Sequence, residues 1–455
     1  MTVTNLRPEV IPPTAAEPIQ SPEPEFDWRQ CWYPVAFVQD LPKNRPISFS
    51  LYDEPLVLFA NEDGKLECLS DRCPHRAAKL SDGQVIDGKL ECLYHGWQFG
   101  AEGKCLHIPQ LPENAKIPAN ASVRSFKVVE KQGIVWMWAG EPEAAEEPGI
   151  PIIEDLDKPE FVSADVMIDL PYDQNYFIEN VLDPAHVNIS HHPTQGNRKN
   201  AQPLEMEIIA NSARGIRGRL RGTRKQNEKW TEVDFIAPNF VIYKFNFEDR
   251  GWFGGLALYS IPSGKGGCRL LARNYRNFLT WKIKLTPRWL DHWYRNRILE
   301  EDLVLIVGEQ EQIERLGENI KSLYLPLKSC DVFTVAYRKW LDEHGSNLPF
   351  YQGYATSKSS EHNQKRDLPP VSMARFEQHT KICSSCSSAY RTTIRAKQIL
   401  VGAAIALGAL AILADSLSMQ LAVVSAFLSA SLSAVALAVV AEKVKTKFER
   451  SYSRH

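Results

Sequence analysis

The chain has 455 residues, 53 basic and 55 acidic, giving a formal net charge of −2. That length predicts two or three domains, and the near-neutral balance gives no reason to expect a nucleic-acid partner. Nine cysteines, several outside any motif, argue against a secreted disulfide scaffold and for a reducing compartment.

Residues 1–26 read as a disordered arm. The stretch is acidic and Pro-rich, without an apolar core for a signal peptide and with the wrong composition for an Arg- and Ser-rich transit peptide. Residues 27–140 read as a β-rich domain. Short apolar runs such as WYPVAFV, PLVLFA and GIVWMWAG alternate there with Gly, Asp, Asn and Pro. Inside it lie two pincers, Cys73-x-His75 and Cys92-x-x-His95, separated by residues 76–91. Two Cys and two His can hold zinc, but zinc pairs usually read Cys-x2-4-Cys and His-x3-5-His. Here each half is mixed, which suits an asymmetric Rieske [2Fe–2S] cluster with two Cys on one iron and two His on the other.

Residues 141–159, rich in Glu and Pro, form the expected linker. The next domain, 160–375, opens with NVLDPAHVNISHH. Its His186 and His191 are five apart, so an ideal helix would splay them. They converge if the helix ends before His191, as the following His192-Pro193 favours. Asp183 is expected one turn before His186 on the same face. Two imidazoles with a distant carboxylate make the facial triad that leaves iron(II) positions open for O2. Alone, such histidines are more often surface or core residues; an upstream cluster changes the balance, because its electrons need a destination. Residues 204–280 alternate as an antiparallel sheet. Arg214, Arg217, Arg219, Arg221 and Arg224 read as a solvated basic strand edge rather than a substrate-carboxylate site. Trp289–Leu316 reads as helix. Asp302 is its best third-ligand candidate, a carboxylate followed immediately by an apolar run; Glu301, Asp291 and Asp331 are the competing acids.

Residues 376–397 carry Cys383-x-x-Cys386, readable as a redox dithiol, half a metal site, or a pair without a role, since no second pair is visible. Residues 398–441 hold two apolar stretches, Ile399–Ala414 and Leu417–Ala441, and 442–455 form a basic tail. A span needs about 20 apolar residues. Basic residues flank both outer ends, so a transmembrane hairpin would keep the catalytic body cytoplasmic. The same pattern also suits a hairpin buried in a soluble protein.

Four features, CPHR…LYHGWQF, GKCLHIPQL, NVLDPAHVNISHH and KICSSCSSAY before paired spans, make the chain resemble a Rieske non-haem iron oxygenase. It is most similar to the pheophorbide a oxygenase-like branch, which includes chloroplast translocon-associated Rieske proteins. The resemblance implies an α+β architecture: an N-terminal Rieske β-domain, a helix-grip catalytic domain (an antiparallel sheet over a long helix), and the membrane hairpin. It implies cluster ligands Cys73, His75, Cys92 and His95, a mononuclear iron on His186, His191 and Asp302, and Asp183 as a bridging acid. It further implies ferredoxin or a ferredoxin-type reductase as electron donor, O2 and a lipophilic tetrapyrrole as substrates, and a homotrimer. The composition of the N-terminal arm suits a cyanobacterial member in a thylakoid or plasma membrane. The competing reading is an electron-transfer or redox-sensing membrane protein that uses cluster and CxxC without oxygenation.

Overall fold

The computed structural model describes residues 26–42, 44–224, 228–358 and 372–452. Apart from Phe26, the N-terminal arm lies outside the described residues. The chain divides into two compact units, the first made of Met1–Leu285 with Glu301–Val371 and the second of Thr286–Glu300 with Ser372–His455.

The first unit begins with three small antiparallel sheets. Trp32–Phe37 pairs with Ile134–Trp138, and every residue of both strands is buried. A four-stranded sheet follows from Ile47–Leu51, Glu54–Ala60, Leu66–Ser70 and Ser125–Phe126. A smaller one joins Gln84–Ile86, Lys89–Glu91, Gln98–Phe99 and Cys105–His107. The Gln84–Ile86 hairpin turns on Asp87 and Gly88, whose φ values of 47° and 70° are left-handed. A Cβ on Gly88 would stand 2.1 Å from the Glu62 backbone nitrogen, so only glycine fits this turn.

A seven-stranded antiparallel sheet follows. In chain order its strands are β1 (Val162–Leu170), β2 (Leu204–Ser212), β3 (Gly215–Gly222), β4 (Thr231–Ile236), β5 (Phe240–Phe247), β6 (Trp252–Gly264) and β7 (Gly267–Arg276), arranged β1-β7-β6-β5-β4-β3-β2. The expected alternation holds in β3, where Arg219 and Arg221 pair with Glu207 and Glu205 of β2 and stack on Trp230. These arginines are solvated as expected, but β3 pairs with β2 on one side and β4 on the other, so they form a strand face and not a sheet edge. Two helices, α1 (Gln174–Leu182) and α4 (Val332–His344), pack on the sheet. Tyr243 of β5 donates to the Val181 carbonyl at 2.6 Å, and Trp340 of α4 donates to Ser212 at 3.0 Å. Short α2 (Val187–Ser190) follows α1, and α3 (Arg288–Leu316) contributes its residues from Glu301 onward to this unit.

Arginines with little solvent exposure join the small sheets to the large one. Arg273 of β7 grips both Asp165 oxygens at 2.8 Å and donates to the Gln132 carbonyl at 2.8 Å. Arg269 does likewise with Asp169 and the Val35 carbonyl, and Asn239 donates to Trp32 at 2.8 Å. Paired and hydrogen-bonded, such charges tolerate burial.

The second unit holds two long antiparallel helices, α5 (Ser384–Ser416, 33 residues) and α6 (Leu421–Glu449, 29 residues). The first starts earlier than the apolar pattern predicts. No Pro or Gly stands between Ser384 and Ile399, so nothing interrupts the helix at the expected boundary. Both helices are long and apolar enough to cross a membrane, and large side chains such as Ile399, Ile412, Leu421 and Leu432 are 70–81% exposed. Ser431 donates to the Ala404 carbonyl at 2.8 Å, a close approach that small residues permit. At the head of the hairpin Arg375 forks onto Glu300, both buried, and Glu300 also accepts from Tyr452 N at 2.7 Å.

Candidate metal centres

The two pincers fold into tight turns. Cys73 accepts from Ala77 N at 2.9 Å and Cys92 accepts from Gly96 N at 2.8 Å, through their carbonyls. Cys73 and Cys92 are buried in an apolar cluster with Leu80, Leu90, Phe99 and Ile108. Burial pushes the Cys73 thiol up to about 11, so a thiolate there needs a cation beside it. The two imidazoles face outward instead: the His75 and His95 rings lie 4.4 Å apart and His75 stacks on Trp97 at 4.8 Å. Gln110, from the GKCLHIPQL loop, donates to the His95 carbonyl at 2.9 Å. The four donors are not gathered at one point but form a buried Cys pair and an outer His pair. That arrangement fits a dinuclear cluster with chemically distinct irons better than a single zinc.

A second group forms where α1, α2 and α3 meet. Helix α1 stops at Leu182, and Asp183 takes an extended backbone, φ −101° and ψ 90°. It precedes Pro184, which disfavours the helical region. Asp183 therefore shares no helix face with His186, contrary to expectation, yet its Oδ2 still lies 3.7 Å from His186 Nδ1. Helix α2 ends at Ser190, and His191 is its C-terminal cap. This break turns both imidazoles to the same side. Asp302 Oδ2 stands 3.5 Å from His186 Nε2 and 3.1 Å from His191 Nε2, and the three donor atoms lie within 4.8 Å of one another.

The electrostatics favour a cation here. Burial lowers the basicity of His186, but the Asp183 and Asp302 carboxylates outweigh it and lift the imidazole to about 10. Burial raises the Asp302 carboxyl in turn, and the two histidines outweigh that and hold it well below the usual carboxylate range. Asp302 Oδ1 is buried without a hydrogen-bond partner, an expensive state that a bound cation relieves. A divalent iron fits this donor set.

Glu301 is not the third donor. It reaches the far side of the ring, with Oε2 3.1 Å from His191 Nδ1 and Oε1 accepting from Thr194 at 2.5 Å. Asp183 and Glu301 thus back the Nδ1 atoms, leaving both Nε2 atoms turned inward. Neither Asp291 nor Asp331 joins the gathered donors: Asp291 pairs with Arg295, and Asp331, which lines the cavity beside the triad, accepts from Leu327 N. The Glu301–Thr194 clamp was not legible in the sequence, although an acid next to the ligand candidate was its one signal. Beside the triad opens a cavity of about 470 Å3, walled in part by Leu305, Ile306, Leu323 and Val335, a size within the usual range for ligand sites.

Cys383 and Cys386 lie in the second unit, buried, with His292 and His379 beside them. Neither histidine was linked to this pair in the sequence. His379, four residues before Cys383, offered a local signal; His292 offered none.

Comparison with known proteins accords with these arrangements. The family of the Rieske [2Fe-2S] domain matches residues 31–130, and that of pheophorbide a oxygenase matches residues 235–319. The chain is 36% identical to protein TIC 55, chloroplastic, of Arabidopsis thaliana, over 86% of this chain and 78% of that one. It is 32% identical to the chloroplastic pheophorbide a oxygenase of Arabidopsis thaliana, over 84% and 76% of the two chains. Among solved structures, dicamba monooxygenase bound to dicamba shares the fold at a TM-score of 0.59 and 24% identity, covering 69% of this chain and 96% of that one. The chain belongs to the pheophorbide a oxygenase branch of the Rieske non-haem iron oxygenases, oxidoreductases that carry a Rieske [2Fe–2S] cluster and a mononuclear iron.

Proposed function

We propose that the chain is a membrane-anchored oxygenase that uses O2 and electrons from ferredoxin or a ferredoxin-type reductase. Its substrate is a chlorophyll-derived tetrapyrrole such as pheophorbide a. The observation that carries this reading is the convergence of His186, His191 and Asp302, with its orphaned Oδ1, where His186 and Asp302 line the cavity. In this assignment Cys73, His75, Cys92 and His95 hold the cluster, and His186, His191 and Asp302 hold the mononuclear iron. When bound, these groups supply one-electron transfer and O2 activation.

The chain's own residues do the rest. Glu301 accepts the His191 Nδ1 proton and fixes that ring, while the Asp183 carboxylate, 3.7 Å from His186 Nδ1, acts on His186 through its charge. Leu305, Ile306 and Val335 offer an apolar wall to a flat hydrophobic substrate. Asp183 keeps 28% of its side chain exposed, and His75 is exposed as well. Both can therefore be reached from outside the chain, which supports a homotrimer in which Asp183 bridges to a neighbouring copy's cluster histidine. Two apolar helices support a substrate taken from lipid. The basic flanks support a cytoplasmic catalytic body on a cyanobacterial thylakoid or plasma membrane.

The test is anaerobic iron analysis and EPR of the purified protein, then O2 with reduced ferredoxin and a panel of chlorophyll derivatives. A Rieske signal, about three irons per chain and one derivative gaining oxygen are expected. Two irons and no product from any derivative would instead favour the electron-transfer or redox-sensing reading.

A further inference from the structure

The CxxC pair does not stand alone. Cys383 caps α5, Cys386 lies in its first turn, His379 comes from the preceding π-helical turn, and His292 from the first turns of α3. All four belong to the second unit, and their exposures are 1%, 1%, 0% and 1%. Their donor atoms lie within 4.8 Å of one another. His292 Nδ1 is 3.1 Å from His379 Nε2, 3.4 Å from Cys383 Sγ and 3.5 Å from Cys386 Sγ; His379 Nε2 is 3.3 Å from Cys386 Sγ.

Hydrogen bonding does not account for this geometry. A ring nitrogen has one N–H or one lone pair in the ring plane, so His292 Nδ1 can satisfy only one of its three close neighbours. A central cation satisfies all of them. Tetrahedral zinc with bonds of about 2.0–2.1 Å to nitrogen and 2.3 Å to sulfur has donor–donor edges of roughly 3.3–3.8 Å. Three of the four distances, 3.3, 3.4 and 3.5 Å, fall within that range and the fourth, 3.1 Å, lies just below it.

We propose that His292, His379, Cys383 and Cys386 form a closed, structural Zn2+ site, separate from the cluster and the mononuclear iron. Four protein donors leave no open position, which is the mark of a structural rather than a catalytic zinc. Charge agrees: Zn2+ with two thiolates and two neutral imidazoles sums to zero, so the complex can be buried where a bare dithiolate could not. Trp289, Trp293, Tyr390 and Phe448 pack round the site, and the Arg288 guanidinium stands 4.0 Å from Cys383 Sγ. The metal would pin the start of α3 to the head of the hairpin, where Thr380 also holds the Phe448 carbonyl at 2.6 Å. In this assignment the thiols are metal ligands and not an exchangeable redox pair.

The test uses the full chain in detergent. Elemental analysis should find one zinc per chain in addition to the iron. Cys383→Ser and His292→Ala should each lower bound zinc ~10-fold or more while the Rieske EPR signal per chain stays unchanged. Protein produced with Co2+ should show the visible bands of tetrahedral, thiolate-bound cobalt, lost in Cys383→Ser. Should the variants fail to accumulate, the wild-type protein decides: a mercurial thiol reagent should release zinc in step with modification of two thiols. Zinc below a tenth of an equivalent in iron-replete protein, zinc unchanged in the variants, a Cys383–Cys386 disulfide, or a further iron in place of zinc would each overturn the assignment.

Discussion

Glu301 and Asp302 are adjacent acids that face the same imidazole, and the structure gives them separable roles. Glu301 is almost wholly buried, its side chain 1% exposed, and its Oε2 meets His191 Nδ1 at 3.1 Å. Truncation in Glu301→Ala removes a charge-assisted hydrogen bond and leaves a buried N–H without its acceptor, a loss of about 1.5–3 kcal/mol. Expressed as metal affinity this is roughly 10–100-fold, the usual range for a group that orients a ligating histidine. Glu301→Gln keeps an acceptor for His191 and a partner for Thr194 while dropping the charge, and should lose about 10-fold or less. Asp302→Ala removes a donor outright and should abolish iron retention. The assay is anaerobic Fe(II) titration of the iron-depleted mononuclear site against a chromophoric chelator, with the Rieske EPR signal reporting that the fold is intact. Equal losses in Glu301→Ala and Asp302→Ala, or an unchanged affinity in Glu301→Ala, would refute this division of labour.

Asp183→Asn should leave both iron centres bound yet slow product formation by ~10-fold or more, read by single-turnover oxidation of the reduced cluster. Cys92→Ser should remove the Rieske EPR signal and the cluster iron while Fe(II) binding at the mononuclear site persists. Arg273→Met strands the buried Asp165 and frees the Gln132 carbonyl. It should cost about 3–5 kcal/mol and lower the unfolding temperature by on the order of 10 °C, checked by a thermal scan at fixed protein concentration.

The cluster loops were readable because all four donors fall within residues 73–95 and the spacing itself carries the chemistry. The sheet was readable for a similar reason: β3 alternates Arg with Gly and Leu, and its partner supplies Glu at the matching register. The acidic stretch of α3 was readable only in part. Asp302 stood out through the apolar run that follows it, but Glu300 and Glu301 are buried as well, and only their packing separates Glu301, on a histidine Nδ1, from Asp302, which faces both Nε2 atoms. His292 and His379 are 87 residues apart, too far for any local pattern to pair them. Asp183 departs from the expected helix face because the Asp183-Pro184 step ends the helix that the apolar pattern extends.

Consecutive residues of a helix point about 100° apart and rise 1.5 Å, yet Glu301 and Asp302 take hold of opposite nitrogens of one ring. The arrangement depends on helix phase as well as on composition. A substitution in the pair removes one hold. Inserting or deleting a single residue just before Glu301 would turn both carboxylates by that same angle and release the ring at both nitrogens. Length changes just before the pair should therefore be barred even where neighbouring residues of the helix can be exchanged.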